Sequence, residues 1–515
     1  MYSKKLLGTL DDRLGTSHGL RKALDKAFPD NWSFMIGEVA LYAFVLLVAT
    51  GTYLTFFFDA SDRTVTYRGG YAPLRGTEMS EAYRSTVDLS LDVRAGLLIR
   101  QMHHWAALLF LAAIVLHLCR VFFTAAFRRP RELNWVIGLT MFVLALANGF
   151  TGYSLPDDLL SATGLRVAYS IAVSVPLAGP WLASLFFGGA TITPVTTGRL
   201  YIIHVLFIPG LIAALLGAHL GILWRQKHTH FPGRGRREDN VVGSRLWPTY
   251  AARSVALLFL VAAMLAALGG LAQINPIWLY GPSQAGAVTT QAQPDWYLGW
   301  TEGALRLMPA VRFHVFGYRF PEVFIPGVLL PGMTIAVLYA WPFIERRITR
   351  DRDAHHLLDR PRDRPWRTGL GAAVLTFYVV LFGAGAEDIW ADQLGVSVDL
   401  VRNGFRIALF VLPVLVGWFT TRTCRDLLAA VSRSEAFEHG EAPVGPVEDE
   451  AVDDGGPGGS GSGDDDDGDR TGSRAARAAE AAAAVAAGSV AAGALGYRWG
   501  RRRPKVIRIE RNKGS

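Results

Sequence analysis

One apolar stretch limits what this chain can fold into. Arg100 to Arg120 reads RQMHHWAALLFLAAIVLHLCR, with three histidines inside it and an arginine at each end. A helix needs about 20 apolar residues to cross a hydrocarbon core, and an ionisable group inside such a helix is costly enough to mark a functional site. On an α-helix, residues 14 apart differ by about 40° in direction and about 21 Å in height. His103 and His117 therefore share a face near opposite sides of a membrane, whereas His104 and His117 point to nearly opposite faces. This spacing reads His103 and His117 as ligands for two stacked cofactors and His104 as a bystander.

The same apolar length recurs along the chain. Of 515 residues, 51% are hydrophobic and 19% charged, and the apolar ones fall in blocks of spanning length. Eight spans are expected: Ser33 to Phe58, Ala95 to Phe123, Leu133 to Leu155, Leu200 to Trp224, Tyr250 to Leu271, Val323 to Phe343, Thr368 to Ala386 and Phe405 to Thr421. The fold class is an all-α membrane protein with eight transmembrane helices. The net charge of +8 implies no nucleic acid, because much of the Arg and Lys sits in short loops and in the tail, where it sets topology. The loops after spans two, four and six are basic, and Glu387 to Val401 between spans seven and eight has no Lys or Arg. By the positive-inside rule both termini are cytoplasmic. Two cysteines, Cys119 and Cys424, exclude a disulfide framework, a Cys-rich zinc or iron–sulfur site and a CxxCH haem attachment. The first 30 residues carry no cleavable signal pattern.

Four regions follow. Residues 1–31 are an amphipathic lead-in, 32–235 a four-helix domain holding the cofactors, 236–425 a second four-helix domain, and 426–515 a low-complexity cytoplasmic tail. Asp59 to Val93 is expected to be a partly folded outer loop, and Pro156 to Arg199 to form surface helices on the outer face. Pro326 and Pro331 should kink span six. Ala272 to Phe320 is a connection long enough to be functional. Within the tail, Glu435 to Asp469 is too acidic and Gly/Ser/Pro-rich to bury a core. Ala475 to Leu495 is Ala-rich, a transient helix with a ninth span as the alternative, and the basic Arg501 to Arg511 suits lipid headgroups or a partner.

Span four supplies the second half of the site. His204 and His219 are 15 apart, about 22 Å of helix rise. Spans two and four both run from outside to inside, so His103 pairs with His204 outward and His117 with His219 inward. Two pairs of neutral imidazoles suit two bis-histidine haems, whereas zinc wants four ligands around one ion. Gly37 and Gly51 on span one, and Gly138 and Gly152 on span three, repeat the 14-residue interval. A missing side chain there lets a flat macrocycle approach the backbone; ordinary small-residue packing is the alternative. Arg100 and Arg120 each lie three residues from a ligand, placed to pair with a haem propionate or to snorkel to the interface.

These residues make the chain resemble the cytochrome b subunits of quinol–cytochrome c reductases, over roughly residues 30 to 425. The likeness rests on the histidine pairs, the four glycines, GYSLP at Gly152 to Pro156, PDWY at Pro294 to Tyr297, and WPFIE at Trp341 to Glu345. It is nearest to the actinobacterial type through RQMHHWAALLFLAAIVLH, FRRPRELNW, DNVVG and PDWYLGWTEG. The resemblance implies a plasma-membrane translocase that oxidises menaquinol at the outer face. One electron would pass to a Rieske iron–sulfur protein. The other would pass through a low-potential outer and a high-potential inner b-type haem to a quinone on the cytoplasmic side, building proton-motive force. It also implies a di-haem, membrane-anchored cytochrome c subunit, a haem–copper oxidase in a supercomplex, a homodimer and membrane lipid as partners.

Within the likeness, Asp295 stands where many relatives carry Glu and is the expected acceptor of a quinol proton; a helix N-terminal charge is the alternative. Glu302, seven residues on, would extend a proton exit route, with Thr301 and Tyr297 as hydrogen-bonding neighbours. The 15-residue interval in span four resembles the photosynthetic type, yet the eight spans here are fused. Where the mitochondrial type has a Lys-Asp pair early in span five, this chain has Arg253 and Ser254. Inner proton delivery must then use other groups, with Arg225, Lys227 and His228 as candidates. Two rival readings remain open: a di-haem anchor for another respiratory dehydrogenase, and a transporter relaying protons through its histidines.

Overall fold

The computed structural model describes residues 16–438 apart from 190, 191, 193, 285, 288–292 and 316. Among these, eight helices are long and apolar enough to cross a membrane: Trp32–Thr55, Gly96–Phe123, Glu132–Tyr153, Thr196–Gln226, Leu246–Leu271, Ile325–Thr349, Pro365–Ala384 and Val398–Arg433. They are the eight expected spans with shifted ends. In hydrocarbon a helix satisfies its own backbone groups, and lipid accepts apolar side chains on every face. That is why these helices carry so many exposed Leu, Val and Phe side chains.

The first span packs on the second and the third on the fourth. Their shared core is Ala43, Phe44, Phe110, Leu111, Ala145, Ile208 and Ile212. Span five lies against spans one and two around Ala106, Val261 and Leu265. The division at 235/236 therefore falls between helix groups that pack on each other. The described residues up to Ser432 form one compact unit.

The all-α description needs small additions. Three two-stranded ribbons decorate the loops: Ala27–Phe28 with Ser244–Arg245, Thr64–Thr66 with Glu78–Ser80, and Phe313–Val315 with Tyr318–Phe320. The loop before span two folds around Tyr67, Tyr83, Val87 and Ile277, and Ser80 caps its helix Glu81–Leu91 by accepting from the Tyr83 N–H at 3.2 Å. Between spans three and four lie two short helices, Leu159–Val173 and Gly179–Phe187. Pro326 sits in the opening turn of a π-helical segment, Ile325–Leu329, and Pro331 in that of the α-helix after it, while Pro342 lies deep inside span six. The last helix runs on to Glu438 rather than ending near Thr421. Its sequence there, RDLLAAVSRSEAFE, is built largely of helix formers. The remaining tail segments, to Arg501–Arg511 and beyond, lie outside the described residues, as do residues 1–15 of the lead-in.

A second π-helical turn, Ile203–Phe207, carries His204. In an unbroken α-helix a 15-residue interval would turn about 100° away from a 14-residue one. One π turn takes up the additional residue and brings the His204–His219 interval back into phase with His103–His117.

At the His117 end, the loops after spans two, four and six are tied together by Arg131. Its guanidinium donates to the carbonyls of His355 at 2.6 Å and Lys227 at 3.1 Å, and lies 3.0 Å from His356 Nδ1. The WPFIE run joins this clamp: Glu345 accepts from Trp341 Nε1 at 3.1 Å and from the buried Arg367 at 2.6 Å.

Candidate functional site

His103 and His204 meet between spans two and four. Their ring centroids are 6.2 Å apart and their planes cross at 76°. An imidazole centroid lies roughly 1 Å behind its coordinating nitrogen, so two rings bound at about 2 Å to one metal stand roughly 6 Å apart. The observed separation fits one iron between them. His117 and His219 lie within electrostatic reach of each other at the opposite end. Among the described residues no cluster of three or more His, Cys, Asp or Glu side chains is arranged to hold a bare metal ion.

Each of the four expected glycines faces an imidazole. A Cβ on Gly51 would lie 3.1 Å from His103 Cε1, one on Gly37 3.2 Å from His117 Nδ1, and one on Gly138 3.5 Å from His219 Cε1. A Cβ on Gly152 would overlap His204 outright. The glycines thus make room first for the ligand rings. In the expected reading they made room for the macrocycle alone.

Both flanking arginines are half-buried, with buried guanidinium nitrogens that have no partner. Arg100 Nε donates to Ser90 Oγ at 3.0 Å, while its Nη2 has no partner. Arg120 sits 4.1 Å from the centre of the Phe34 ring with Nε and Nη2 unpartnered. A buried donor left without an acceptor is costly. A carboxylate-bearing ligand at each end satisfies it, which is the chemistry of haem propionates.

A cavity of about 450 Å³ extends from the facing surfaces of His103, His204, Gly51 and Gly152 past Arg100 to Asp295 and Tyr297. Asp295 directly precedes the helix Trp296–Leu307 but makes no side-chain cap bond to it. Its two oxygens instead lie 2.9 and 3.0 Å from His104 Nε2, and one accepts from the Tyr297 hydroxyl at 3.2 Å. This corrects the bystander reading of His104. It lines the same cavity as His103 and His204 while pointing away from His117, as the spacing required, and the PDWY helix packs on that side. Burial and the neighbouring Asp295 charge push the Tyr297 phenol well above its ordinary range, so it stays a hydrogen-bond donor. Tyr297 fits only because Gly149 is bare: a Cβ there would come within 2.7 Å of its hydroxyl. Asp158 also lines the cavity, and burial pushes its carboxyl up.

Thr301 and Glu302 lie outside this lining. Glu302 accepts from Arg306 at 2.8 Å, and Arg306 also pairs with Asp388 at 3.0 Å. Asp295 adopts non-helical backbone angles, so it does not share a helical face with Glu302 as a continuous helix would require.

At the His117 end a second polar cluster was missed. Glu38, on span one, accepts from Ser254 Oγ at 2.6 Å and from the Tyr250 hydroxyl, with the Tyr42 hydroxyl at 3.4 Å. Arg253, beside Ser254, pairs with Asp30 at 2.7 Å. The signal available in the sequence was a carboxylate just inside an apolar span with a tyrosine four residues on, one turn away on the same face. Of the expected candidates, His228 packs 4.5 Å from the Phe28 ring. Burial, then the Lys26, Arg131 and Arg120 charges, push its imidazole down to about 4. It is neutral near pH 7 and carries no spare proton. Lys227 Nζ reaches the Asp239 carbonyl at 3.5 Å, and Arg225 is solvent- or lipid-exposed.

A family model described as cytochrome b (N-terminal)/b6/petB matches residues 108–282. The cytochrome bc1 complex cytochrome b subunit of Corynebacterium efficiens is 47% identical over 431 residues, 84% of this chain and 79% of that one. The subunits of the same description from Mycobacterium tuberculosis and Streptomyces coelicolor are 48% and 47% identical, over 84% and 81% of this chain and 78% and 76% of theirs. Among solved structures, a hyperthermophilic respiratory Complex III matches with a TM-score of 0.61 at 19% identity, covering 81% of this chain and 99% of that one. That likeness concerns the fold alone.

Proposed function

The chain belongs to the cytochrome b subunits of cytochrome bc1 complexes, and from that premise we propose that it is the di-haem membrane subunit of a menaquinol:cytochrome c reductase. The observation that carries this reading is the pair of histidines 6.2 Å apart beside an arginine with a buried, unpartnered donor, a pattern of ligands and arginine repeated at the other end of the bundle. When bound, two b-type haems supply one-electron carriers stacked between the two membrane faces. His103 and His204 would hold the outer one, with Arg100 available to its carboxylates; His117 and His219 would hold the inner one, with Arg120.

In this reading the His103 end lies outside and both termini lie in the cytoplasm, an orientation supported by the basic loops. Quinol enters the cavity between the outer ligands and Asp295. Its oxidation releases two protons and two electrons. Asp295 accepts one of those protons, held in place by His104 and Tyr297. One electron leaves to a Rieske iron–sulfur protein and on to a cytochrome c subunit, of di-haem membrane-anchored type. The other crosses this chain to a quinone at the His117 end, where the Glu38–Tyr250–Ser254 cluster is the proton-carrying group that the Arg253–Ser254 sequence lacks. A homodimer, bound lipid and a supercomplex with a haem–copper oxidase belong to the same proposal.

A reduced-minus-oxidised optical spectrum of the purified protein tests the reading. Two b-type signals are expected, one lost in His103→Ala and neither in His104→Ala. Absence of any b-type signal in the wild-type protein overturns it.

A further inference from the structure

The two ends of the bundle treat the far nitrogens of their ligands differently. His103 Nδ1 is 2.9 Å from Thr50 Oγ1. The Thr50 hydroxyl already donates to the Leu46 carbonyl at 2.6 Å. Its oxygen is therefore the acceptor, and His103 Nδ1–H the donor. His204 Nδ1 is 2.9 Å from the Asn148 carbonyl, which can only accept, with Thr151 Oγ1 at 3.4 Å. Both rings thus carry their proton on Nδ1 and present the Nε2 lone pair. At the other end neither His117 Nδ1 nor His219 Nδ1 has a hydrogen-bond partner, although both are buried. The Asn134 carbonyl faces His219 as the Leu47 carbonyl faces His103, so what separates the two ends is the side-chain hydroxyl.

The difference is written in the residues just before the four glycines. They are Thr50-Gly51 and Thr151-Gly152 at the His103 end, and Ile36-Gly37 and Ile137-Gly138 at the His117 end. Each glycine brings the helix backbone against an imidazole edge, so the residue before it stands beside that edge. Threonine offers an acceptor there, and isoleucine cannot.

An acceptor on the far N–H makes an imidazole a stronger electron donor to its metal. That stabilises the ferric over the ferrous state and lowers the reduction potential, since hydrogen bonding around axial ligands is one of the protein's levers on haem. We propose that Thr50 is a positioning residue that sets the potential of the outer haem. Its hydroxyl accepts from His103 and holds that haem below the inner one, whose ligands stand beside isoleucines that offer no hydroxyl. Electron transfer from outer to inner is then downhill. The inference rests on the di-haem reading above and adds to it which residue makes the two haems unequal.

The test is an optical redox titration of the purified complex in four forms: wild type, Thr50→Val, Thr50→Ser and Ile36→Thr. Valine keeps the shape of threonine and removes the acceptor. The outer potential should then rise alone, and the equilibrium share of an electron on the outer haem should grow roughly 2- to 10-fold, the worth of one hydrogen bond. Serine should restore the wild-type value. Ile36→Thr supplies an acceptor beside His117 and should lower the inner potential. An outer potential unmoved by Thr50→Val, or moved as far by Thr50→Ser, overturns the proposal. So does an equal shift of both haems. If Thr50→Val does not assemble, an inner potential unmoved in Ile36→Thr overturns it. A wild-type protein without two b-type haems would instead sink the reading beneath it.

Discussion

Alanine substitution of the four glycines tests in detail whether the ligand rings govern this bundle. Ordinary van der Waals contact begins at about 3.4 Å, and pushing an additional carbon inside that distance in a packed helix pair costs about 1–3 kcal/mol. Against it stands a gain of about 1 kcal/mol for replacing glycine by alanine within a helix. At Gly138 the new Cβ would sit 3.5 Å from His219, so no clash arises and Gly138→Ala should be neutral or slightly stabilising. At Gly37 and Gly51 the distances are 3.2 and 3.1 Å. The His117 and His103 rings must give a little, for a net loss of about 0–2 kcal/mol. At Gly152 the Cβ overlaps His204, whose Nδ1 is already fixed on the Asn148 carbonyl. The ring cannot keep both that bond and its place opposite His103. A penalty above about 3 kcal/mol corresponds to a hundredfold or greater loss of haem affinity. The assay is the haem-to-protein ratio with a low-temperature difference spectrum that resolves the two α-bands. The expected order of retention is Gly138→Ala, then Gly37→Ala and Gly51→Ala, then Gly152→Ala, the last losing the outer band only. Loss of the inner band in Gly138→Ala as severe as loss of the outer in Gly152→Ala would refute the argument. The macrocycle itself, rather than the imidazole, would then set the need for glycine.

Other outcomes follow from the same contacts. Asp295→Asn leaves His104 and Tyr297 without their carboxylate, and menaquinol-dependent cytochrome c reduction should fall about 10²- to 10⁴-fold with both haem bands intact; unchanged turnover would remove Asp295 as the proton acceptor. Glu38→Gln can still accept from Tyr250 and Ser254 but carries no proton. Inner-haem re-oxidation by quinone should slow in stopped-flow traces while quinol still reduces the outer haem, and an equal re-oxidation rate rejects the role given to Glu38. Arg367→Ala strands the buried Glu345 and weakens the hold on Asp359, 2.8 Å away; breaking a buried pair costs about 3–5 kcal/mol, read as a lower melting temperature. Burial alone would raise the Asp359 carboxyl, yet Arg128, Arg367 and Arg364 outweigh it and hold it below the usual range. A carboxyl depressed in the folded state stabilises above its unfolded pKa and loses that contribution as pH falls through the folded value. Thermal stability should therefore drop from about pH 4 downward, less steeply in Asp359→Asn; identical acid profiles would exclude Asp359 as a contributor.

Much of this molecule is legible from one dimension because a membrane imposes one-dimensional rules. Span length, loop charge and the 14-residue intervals depend on helix rise and lipid thickness, so the eight helices and the pairing of His103, His117, His204 and His219 as proposed ligands follow without knowledge of tertiary contacts. The family likeness pointed to Asp295 and Tyr297 for the same reason: both lie in a short contiguous motif. Packing alone decided the rest. His104 was set aside because it faces away from His117, and only the docking of Trp296–Leu307 on that other face places Asp295 against it. Glu38 meets Tyr250 and Ser254 across more than 200 residues of chain, a pairing no local pattern encodes. Helical periodicity would join Glu302 to Asp295, and the non-helical backbone at Asp295 breaks that periodicity. The π turn at Ile203–Phe207 realigns His204 in a way that residue counting leaves one position out of phase. Helix rise along a span is a property of the sequence. Which face meets which neighbour depends on how the spans pack, and that contact set places the protons and tunes the ligands.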